Sequence, residues 1–342
     1  MTAYFLRRLL LLVPTFLGIT MLVFAITRFV PGGPVDLMIM KMQAGGDAVM
    51  GGSGGAASGT EIPEAVLEEY KAKYHFDKPV WHAYGLWLWD LLRLDLGRSF
   101  KFDIPVTQLI RMRLPISMYF GLIGFVLAYL VCVPLGIWKA IRHGTAFDFV
   151  SSAIVFVGYS IPGWALGALL LVTLGGGTGL DWFPLGEFRS AGWEEFTLWE
   201  KVKDQLHHTV LPVLAYAAGS FATLTVLMKN ALMENLGQDY VRTAFAKGLG
   251  ERRVIFVHAT RNSLIPICTG LGHGLSVLMA GSYLIEKVFN IHGIGYLGFT
   301  SIVDRDYAVV LGILVFNTLL VLLGNILSDV LYVLTDPRIR FS

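Results

Sequence analysis

The sequence predicts an all-α, multi-pass membrane protein with six transmembrane helices and both termini in the cytoplasm. Three observations carry this. First, 55% of the residues are hydrophobic and only 15% are charged, with a mean hydropathy of +0.62; an ordinary soluble domain carries about 25% charge. Second, six apolar runs approach the roughly 20 residues that cross a bilayer. Third, Lys and Arg are concentrated in alternate short loops, the pattern that sets orientation. The net charge of +2 is too small to argue for nucleic acid.

The first span is expected over Leu9–Val30. Arg7 and Arg8 precede it and hold the N-terminus inside. The run exceeds a signal-peptide core, and Pro31-Gly32-Gly33-Pro34 follows it rather than a small-residue cleavage pattern. It is therefore expected to stay uncleaved, with residues 1–30 forming the N-terminal unit.

Residues 31–113 read as an external segment. Within it, 45–59 is rich in Gly, Ser and Ala and reads as a flexible linker. Ile62–Tyr74 is expected to be a polar amphipathic helix, with Pro63 near its start. Pro79–Leu94 is expected to be a helix whose Trp81, Tyr84, Trp87 and Trp89 anchor at the membrane surface. Asp95–Ser99 breaks the pattern, and a short helix over Pro105–Arg113 leads into the membrane.

The five-helix core is expected over 114–334. Its spans are Leu114–Trp138, Phe147–Leu174, Thr209–Met228, Ile267–Ile285 and Ala308–Leu334. Lys139 and Arg142, then the basic cluster between spans four and five, then Arg338 and Arg340 in the tail 335–342, all fall on one side. That side is the cytoplasm. Gly163-x-x-x-Gly167 and Gly270-x-x-x-Gly274 supply small residues for close helix packing in lipid.

The most charged segment between spans is 239–266, DYVRTAFAKGLGERRVIFVHATRNSLIP. It reads as two short helices. Asp239 is expected as the N-cap of the first. Lys247 suits its last turn, and Gly248 supplies the left-handed residue that ends it. Glu251 places negative charge on the first turn of the second helix, which is expected to run through Arg261. Ala244, Ala246 and Gly248 form a small face that a partner can approach closely, while Tyr240, Val241 and Phe245 offer apolar area.

This run, Y-V-R-T-A-x-A-K-G-L, then E-R-R-V, then H-A-x-R-N-S-L-I-P, resembles the coupling motif of ABC-importer permeases, most closely the dipeptide/oligopeptide branch and its oligopeptide permease B type. R-R-L-L at the start, F-D-K-P-V and L-D-L-G-R-S-F in the external segment, and D-P-R-I-R at the end are also similar to the family. F-A-T-L-T-x-L-x-K-N at 221–230 looks like the microcin C/oligopeptide type. The resemblance implies an ABC importer type I permease core and transport of peptides across a bacterial inner membrane. It implies a homologous second permease, two cytoplasmic ATPases and a periplasmic peptide-binding protein. ATP and Mg would be bound by the ATPases, with no cofactor in this chain. Residues Asp239, Tyr240, Arg242, Ala244, Ala246, Lys247, Gly248, Leu249, Glu251 and Arg252 would then form the ATPase-coupling site. In the family a segment similar to L-x-E-x-V-F lies near the external side of the pathway, which makes Glu286, with Ser276 and Tyr283, a pathway candidate. An interfacial charge paired with Lys287 or a neighbouring chain is the alternative for Glu286.

Motifs for chemistry are few. Gly293-x-Gly295-x-x-Gly298 lacks the strand and βαβ unit that would make it a dinucleotide site. No Gly is followed by Lys, so no P-loop is present. His207 and His208 are adjacent, so they point in different directions on a helix and read as interfacial. Ser160, Ser276 and His273 have no spacing that singles out an intramembrane hydrolase. Cys132 and Cys268 lie in apolar runs and read as small apolar residues. Ionisable residues are expected at span ends rather than inside, which argues against an ion-coupled secondary transporter. That transporter, and a family member for nickel, glutathione or sugar, are the alternatives kept.

Overall fold

A computed structural model describes residues 2–29, 78–177 and 179–335. The linker 45–59, the helix expected over Ile62–Tyr74 and the chain end D-P-R-I-R lie outside the described residues. Apart from the isolated bridges Arg98–Pro105 and Gly175–Phe183, regular structure among the described residues is helical. In chain order the helices are α1 (Thr2–Phe29), α2 (Val80–Leu92), α3 (Val106–Ile141), α4 (Ala146–Ser160), α5 (Gly163–Leu174), α6 (Leu198–Leu236), α7 (Asp239–Ala246), α8 (Glu251–Arg253), α9 (Thr260–Ser263), α10 (Ile265–Thr269), α11 (Leu271–Met279), α12 (Tyr283–Val288), α13 (Ile294–Val303) and α14 (Tyr307–Thr335).

Among the described residues α1, α3, α6 and α14 are long and apolar enough to cross a membrane, and α4 with α5 adds a bent pair. The remaining expected span, Ile267–Ile285, is not one helix but the three pieces α10, α11 and α12. Its main break is at Gly281, where φ of +82° is a conformation that side chains with a Cβ rarely adopt. The expected straight span Phe147–Leu174 bends by 95° between Ser160 and Gly163. The cause is Pro162: the residue before a proline is pushed out of helical backbone, and Ile161 takes φ −95° and ψ 118°.

Two helices run further than expected. The short helix at 105–113 and the span starting at Leu114 are one 36-residue helix, α3, which contains Pro115 and Pro134. Bundled helices tolerate such prolines because neighbours satisfy the freed backbone groups. The span expected over Thr209–Met228 is the middle of the 39-residue α6. At 1.5 Å per residue α6 is about 58 Å long, well beyond a hydrocarbon core of about 30 Å. Its start carries a capping box: the Thr197 hydroxyl accepts from the Glu200 N–H, and the Glu200 carboxylate accepts from the Thr197 N–H at 2.8 Å.

The described residues form two compact units. The larger is built on Met112–Leu297 with the chain from Leu319; the second takes the described part of Leu6–Arg111 with Gly298–Thr318. Two apolar cores among the described residues of the larger unit rest on α6. One gathers Phe120, Leu211, Val213, Ala215, Tyr216, Ile285, Phe289 and Ile291. The other gathers Ala140, Met228, Leu232, Val241, Ala244, Val254, Ala259 and Ile267. In the second unit Tyr84 and Trp87 pack against Phe24 with ring centroids 5.5 and 5.6 Å away. The Tyr84 hydroxyl also meets the Thr20 hydroxyl at 2.8 Å. Trp81 and Trp89 are exposed.

Small residues set the close contacts, though only one of the two expected pairs does so. A Cβ on Gly163 would sit 2.5 Å from the Ala215 carbonyl oxygen, and one on Gly167 would sit 2.8 Å from the Phe289 ring. Gly270 and Gly274 have only ordinary contacts. The tight pair is Gly272 and Gly324: a Cβ on Gly272 would overlap the Gly324 carbonyl, and one on Gly324 would overlap Ser276. Gly272→Val is expected to destabilise the protein by about 1–3 kcal/mol through overpacking. Gly274→Ala, whose new Cβ would lie 3.5 Å from the Phe125 ring, is expected to fall within about 0.5 kcal/mol of wild type. Thermal unfolding of the two purified variants in detergent checks the contrast.

Candidate coupling segment and buried polar clusters

The segment 239–263 is a small folded platform on the end of α6. Val241 and Ala244 are buried on one face of α7 and join Met228 and Leu232 of α6. Ala244 therefore faces its own chain, which corrects its expected place on the partner-facing surface. Tyr240, Arg242, Phe245, Ala246, Lys247 and Gly248 are exposed, and Leu249 packs at the edge of the core. Gly248 has φ +79°, the left-handed stop expected of it. The first cap is different from the expectation. Gln238 occupies the N-cap position and Asp239 is the first helical residue, its carboxylate 3.5 Å from Arg242. Lys247 is the C-cap residue.

Exposed Glu251 and Arg252 begin α8. The helix continues through a π-helical turn over Val254–Ala259 and ends at Ser263. The π turn lets Val254, Ile255 and Ala259 all stay buried. The Ser263 hydroxyl donates to the Ala231 carbonyl of α6 at 3.2 Å. Apolar Tyr240, Phe245, Phe256 and Val257 remain exposed beside Arg252 and Arg253.

Beside this platform lies an ionic cluster that the sequence did not reveal. Lys139 and Asp148 are buried, and Lys229, with 14% of its side chain exposed, joins them. Lys139, expected between spans two and three, is 1% exposed. Its ammonium donates to Ser152 Oγ at 2.7 Å, Ser151 Oγ at 2.8 Å and the Asp148 carbonyl at 3.0 Å. Lys229 donates to both Asp148 carboxylate oxygens, at 2.8 and 2.7 Å. His143 Nδ1 lies 3.0 Å from the same carboxylate.

Glu286 is the second buried charge. Its exposure is 0%, so it is neither interfacial nor paired with the exposed Lys287. One carboxylate oxygen accepts from Ser117 of α3 at 2.8 Å and from Tyr216 of α6 at 3.4 Å. The other accepts from the Tyr296 N–H at 2.7 Å. Ser117 and Tyr216 in turn accept from the backbone N–H groups of Ile294 (2.7 Å) and Ser282 (3.1 Å). Nearby, burial and the Arg113 cation push the His292 imidazole below its ordinary pKa range. Asp148 and Glu286 stand in the first turns of α4 and α12 and Lys139 in the last turn of α3, at helix ends as expected, but all three are buried.

A cavity of about 370 Å³ opens beside this network, lined among others by Trp164, Tyr216, Ser220, Ser282 and Leu284. Of the expected pathway residues, Glu286 stands behind its wall and holds Tyr216. Tyr283 is half-buried against Tyr296. Ser276 is buried, donates to the Gly272 carbonyl at 2.8 Å, and belongs to the glycine contact with α14. His208 is buried between Ser190, Asp204 and the Glu187 carbonyl rather than interfacial, while His207 stacks edge-on to Phe183. Among the described residues no three His, Cys, Asp or Glu side chains converge as metal ligands.

Comparisons with known proteins bear on these features together. The family described as "Binding-protein-dependent transport system inner membrane component" matches residues 132–341. The chain is 39% identical to the inner membrane ABC transporter permease protein YejB of Escherichia coli O157:H7, over the whole of both chains. It is 37% identical to the peptidoglycan transport system permease protein YejB of Agrobacterium fabrum, over 100% of this chain and 99% of that one. It is 33% identical to the oligopeptide transport system permease protein AppB of Bacillus subtilis, again over both full chains. A solved structure titled as inward-facing conformations of the MetNI methionine ABC transporter has the same fold, with a TM-score of 0.51 and 14% identity over 67% of this chain and 97% of that one.

Glu286→Ala leaves the donors on Ser117, Tyr216 and Tyr296 without their acceptor. It is expected to cost about 3 kcal/mol or more, since each buried unsatisfied group costs about 1–3 kcal/mol. Lys287→Ala, at an exposed position, is expected to change stability by less than about 0.5 kcal/mol. Denaturation monitored by intrinsic tryptophan fluorescence measures both.

Proposed function

The chain belongs to the binding-protein-dependent transport system inner membrane component family, and from that membership we propose that it moves peptides as one half of a heterodimeric permease. It is a multi-pass inner-membrane permease subunit, and its family works with ATPase and substrate-binding partners. The finer assignments are these. A homologous second permease completes the pathway, two cytoplasmic ATPases bind ATP and Mg, and a periplasmic binding protein delivers the peptide. This chain has no ATPase site of its own. Residues 31–113 are external, 114–334 form the core, and 335–342 form the cytoplasmic tail.

One observation supports the coupling role most strongly. The rim formed by Tyr240, Arg242, Phe245, Ala246, Lys247 and Gly248 is exposed, while Val241 and Ala244 bolt it to α6. Such a platform can be gripped on one side and transmits force on the other. Asp239, Glu251 and Arg252 flank the rim with charge, and Leu249 fixes its trailing edge. Closure of the ATPases around nucleotide displaces the platform as a rigid body, and α6 moves with it. The chain performs no bond chemistry; it responds because its partners bind one conformation better than the other.

The peptide assignment rests on relatives named for oligopeptide and dipeptide transport. The relative named for peptidoglycan transport supports peptide-bearing cell-wall fragments as a second solute class. Affinity purification of this chain from its own membrane is expected to bring down a homologous permease and ATPases. ATP hydrolysis by that complex, with its binding protein, is expected to rise with added peptide. Recovery of the chain alone, with uptake driven by an ion gradient, would contradict the reading and favour a secondary transporter.

Gly248→Glu is expected to cut peptide uptake by about tenfold or more while the protein stays at normal abundance. No atom lies within 4 Å of the added Cβ, and the left-handed backbone costs a non-glycine residue about 1–2 kcal/mol. The loss would therefore come from the rim and not from the core. Uptake assays with membrane abundance measured by immunoblot check it.

A further inference from the structure

Three helices meet at one carboxylate beside the coupling platform. Lys139 is in the last turn of α3 and Asp148 in the first turn of α4. Lys229 lies on α6 between Met228 and Leu232, which form the floor under Val241 and Ala244. The bonds are divided unequally. Lys139 is held within the α3–α4 hairpin by Ser151, Ser152 and the Asp148 carbonyl, with the Asp148 carboxylate 3.2 Å away. Lys229 crosses from α6 and clasps both carboxylate oxygens. Two ammonium groups share one carboxylate, so the hairpin keeps a balanced pair without Lys229.

The tie has leverage at both ends. A displacement of the platform is a displacement of the end of α6, because the two share one apolar core. Pulling Lys229 from Asp148 would leave the part-buried Lys229 ammonium without its carboxylate, so α4 follows α6. Past its 95° bend α4 continues as α5, whose first residues, Gly163 and Trp164, line the cavity with Tyr216, Ser220 and Ser282. At that end Gly163 and Gly167 leave no free space between α5 and Ala215 of α6.

We propose that the Lys229–Asp148 bond is the link through which motion of the coupling platform reaches the bent pair α4–α5 and the cavity it lines. Lys229 and Asp148 are positioning residues; they act through the helices they join. The inference rests on the permease reading above.

The test uses the full complex in proteoliposomes with its binding protein. Lys229→Met removes the tie and leaves Lys139 paired with Asp148. The variant is expected to assemble at normal yield and to hydrolyse ATP within about twofold of wild type, while uptake of a radiolabelled tripeptide per ATP falls about tenfold or more, a typical coupling free energy. Lys229→Arg, which keeps the charge, is expected to restore most of that ratio. Unchanged uptake per ATP in Lys229→Met overturns the proposal. So does a proportional fall of uptake, hydrolysis and yield, which would mark a folding element. If Lys229→Met fails to assemble, Asp148→Glu keeps the charge balance and lengthens the link; its failure to assemble as well would also overturn the proposal.

A readout independent of solute separates this link from the peptide assignment. Nitroxide labels at the exposed positions Thr145 and Glu234, with both native cysteines replaced, report the distance from the hairpin to α6. That distance is expected to be the same with and without ATP in wild type, and to change with ATP in Lys229→Met. A wild-type distance that already changes with ATP overturns the link. Absence of ATP-driven tripeptide uptake in wild type, with the label result intact, overturns the peptide assignment instead.

Discussion

In a bilayer a broken helix has to be answered by protein, because no water is available to take the freed N–H and C=O groups. The architecture of the larger unit follows from that constraint. The break at Gly281 frees the Ser282 N–H, which Tyr216 of α6 accepts. The turn that follows presents the N–H groups of Ile294 and Tyr296, taken by Ser117 and Glu286. Glu286 then binds Ser117 and Tyr216 as well, so one carboxylate joins α3, α6 and the broken span. The 95° bend of α4–α5 is answered by close packing, with Gly163 and Gly167 against α6.

The long helix α6 gives these devices a common frame. Leu211–Tyr216 belong to one core and Met228–Leu232 to the other, roughly 25 Å apart along the axis at 1.5 Å per residue. The folded platform at 239–263 sits at one end and a cavity opens toward the other. A rigid helix between them needs no hinge of its own; the breaks that permit rearrangement lie in its neighbours.

Much of this was legible in the sequence, because apolar run length and the motif at 239–266 are local signals. Gly248 could be read as a left-handed stop, whereas the Thr197–Glu200 capping box, though it spans only four residues, went unread. What escaped depended on distance in the chain. Asp148 meets Lys229 across 81 positions and Glu286 meets Ser117 across 169, so their charges looked as though they belonged to loops and membrane surfaces. The break expected between Arg113 and Leu114 is absent, and α3 carries Pro115 inside it, as a bundle allows. Pro162 bent a run that hydropathy alone made straight. The face of Ala244 was misjudged because an eight-residue helix offers two small faces, and only packing on α6 decides which is free.

The central claim is that the rim at 240–248 is the surface the ATPases grip. The most direct measurement places a photoreactive amino acid at Phe245 in the native membrane and identifies its crosslinked partner. The account predicts a single protein adduct, an ATP-binding subunit, with a yield that changes when nucleotide is bound. Adducts confined to lipid, or to a protein that binds no nucleotide, would contradict it.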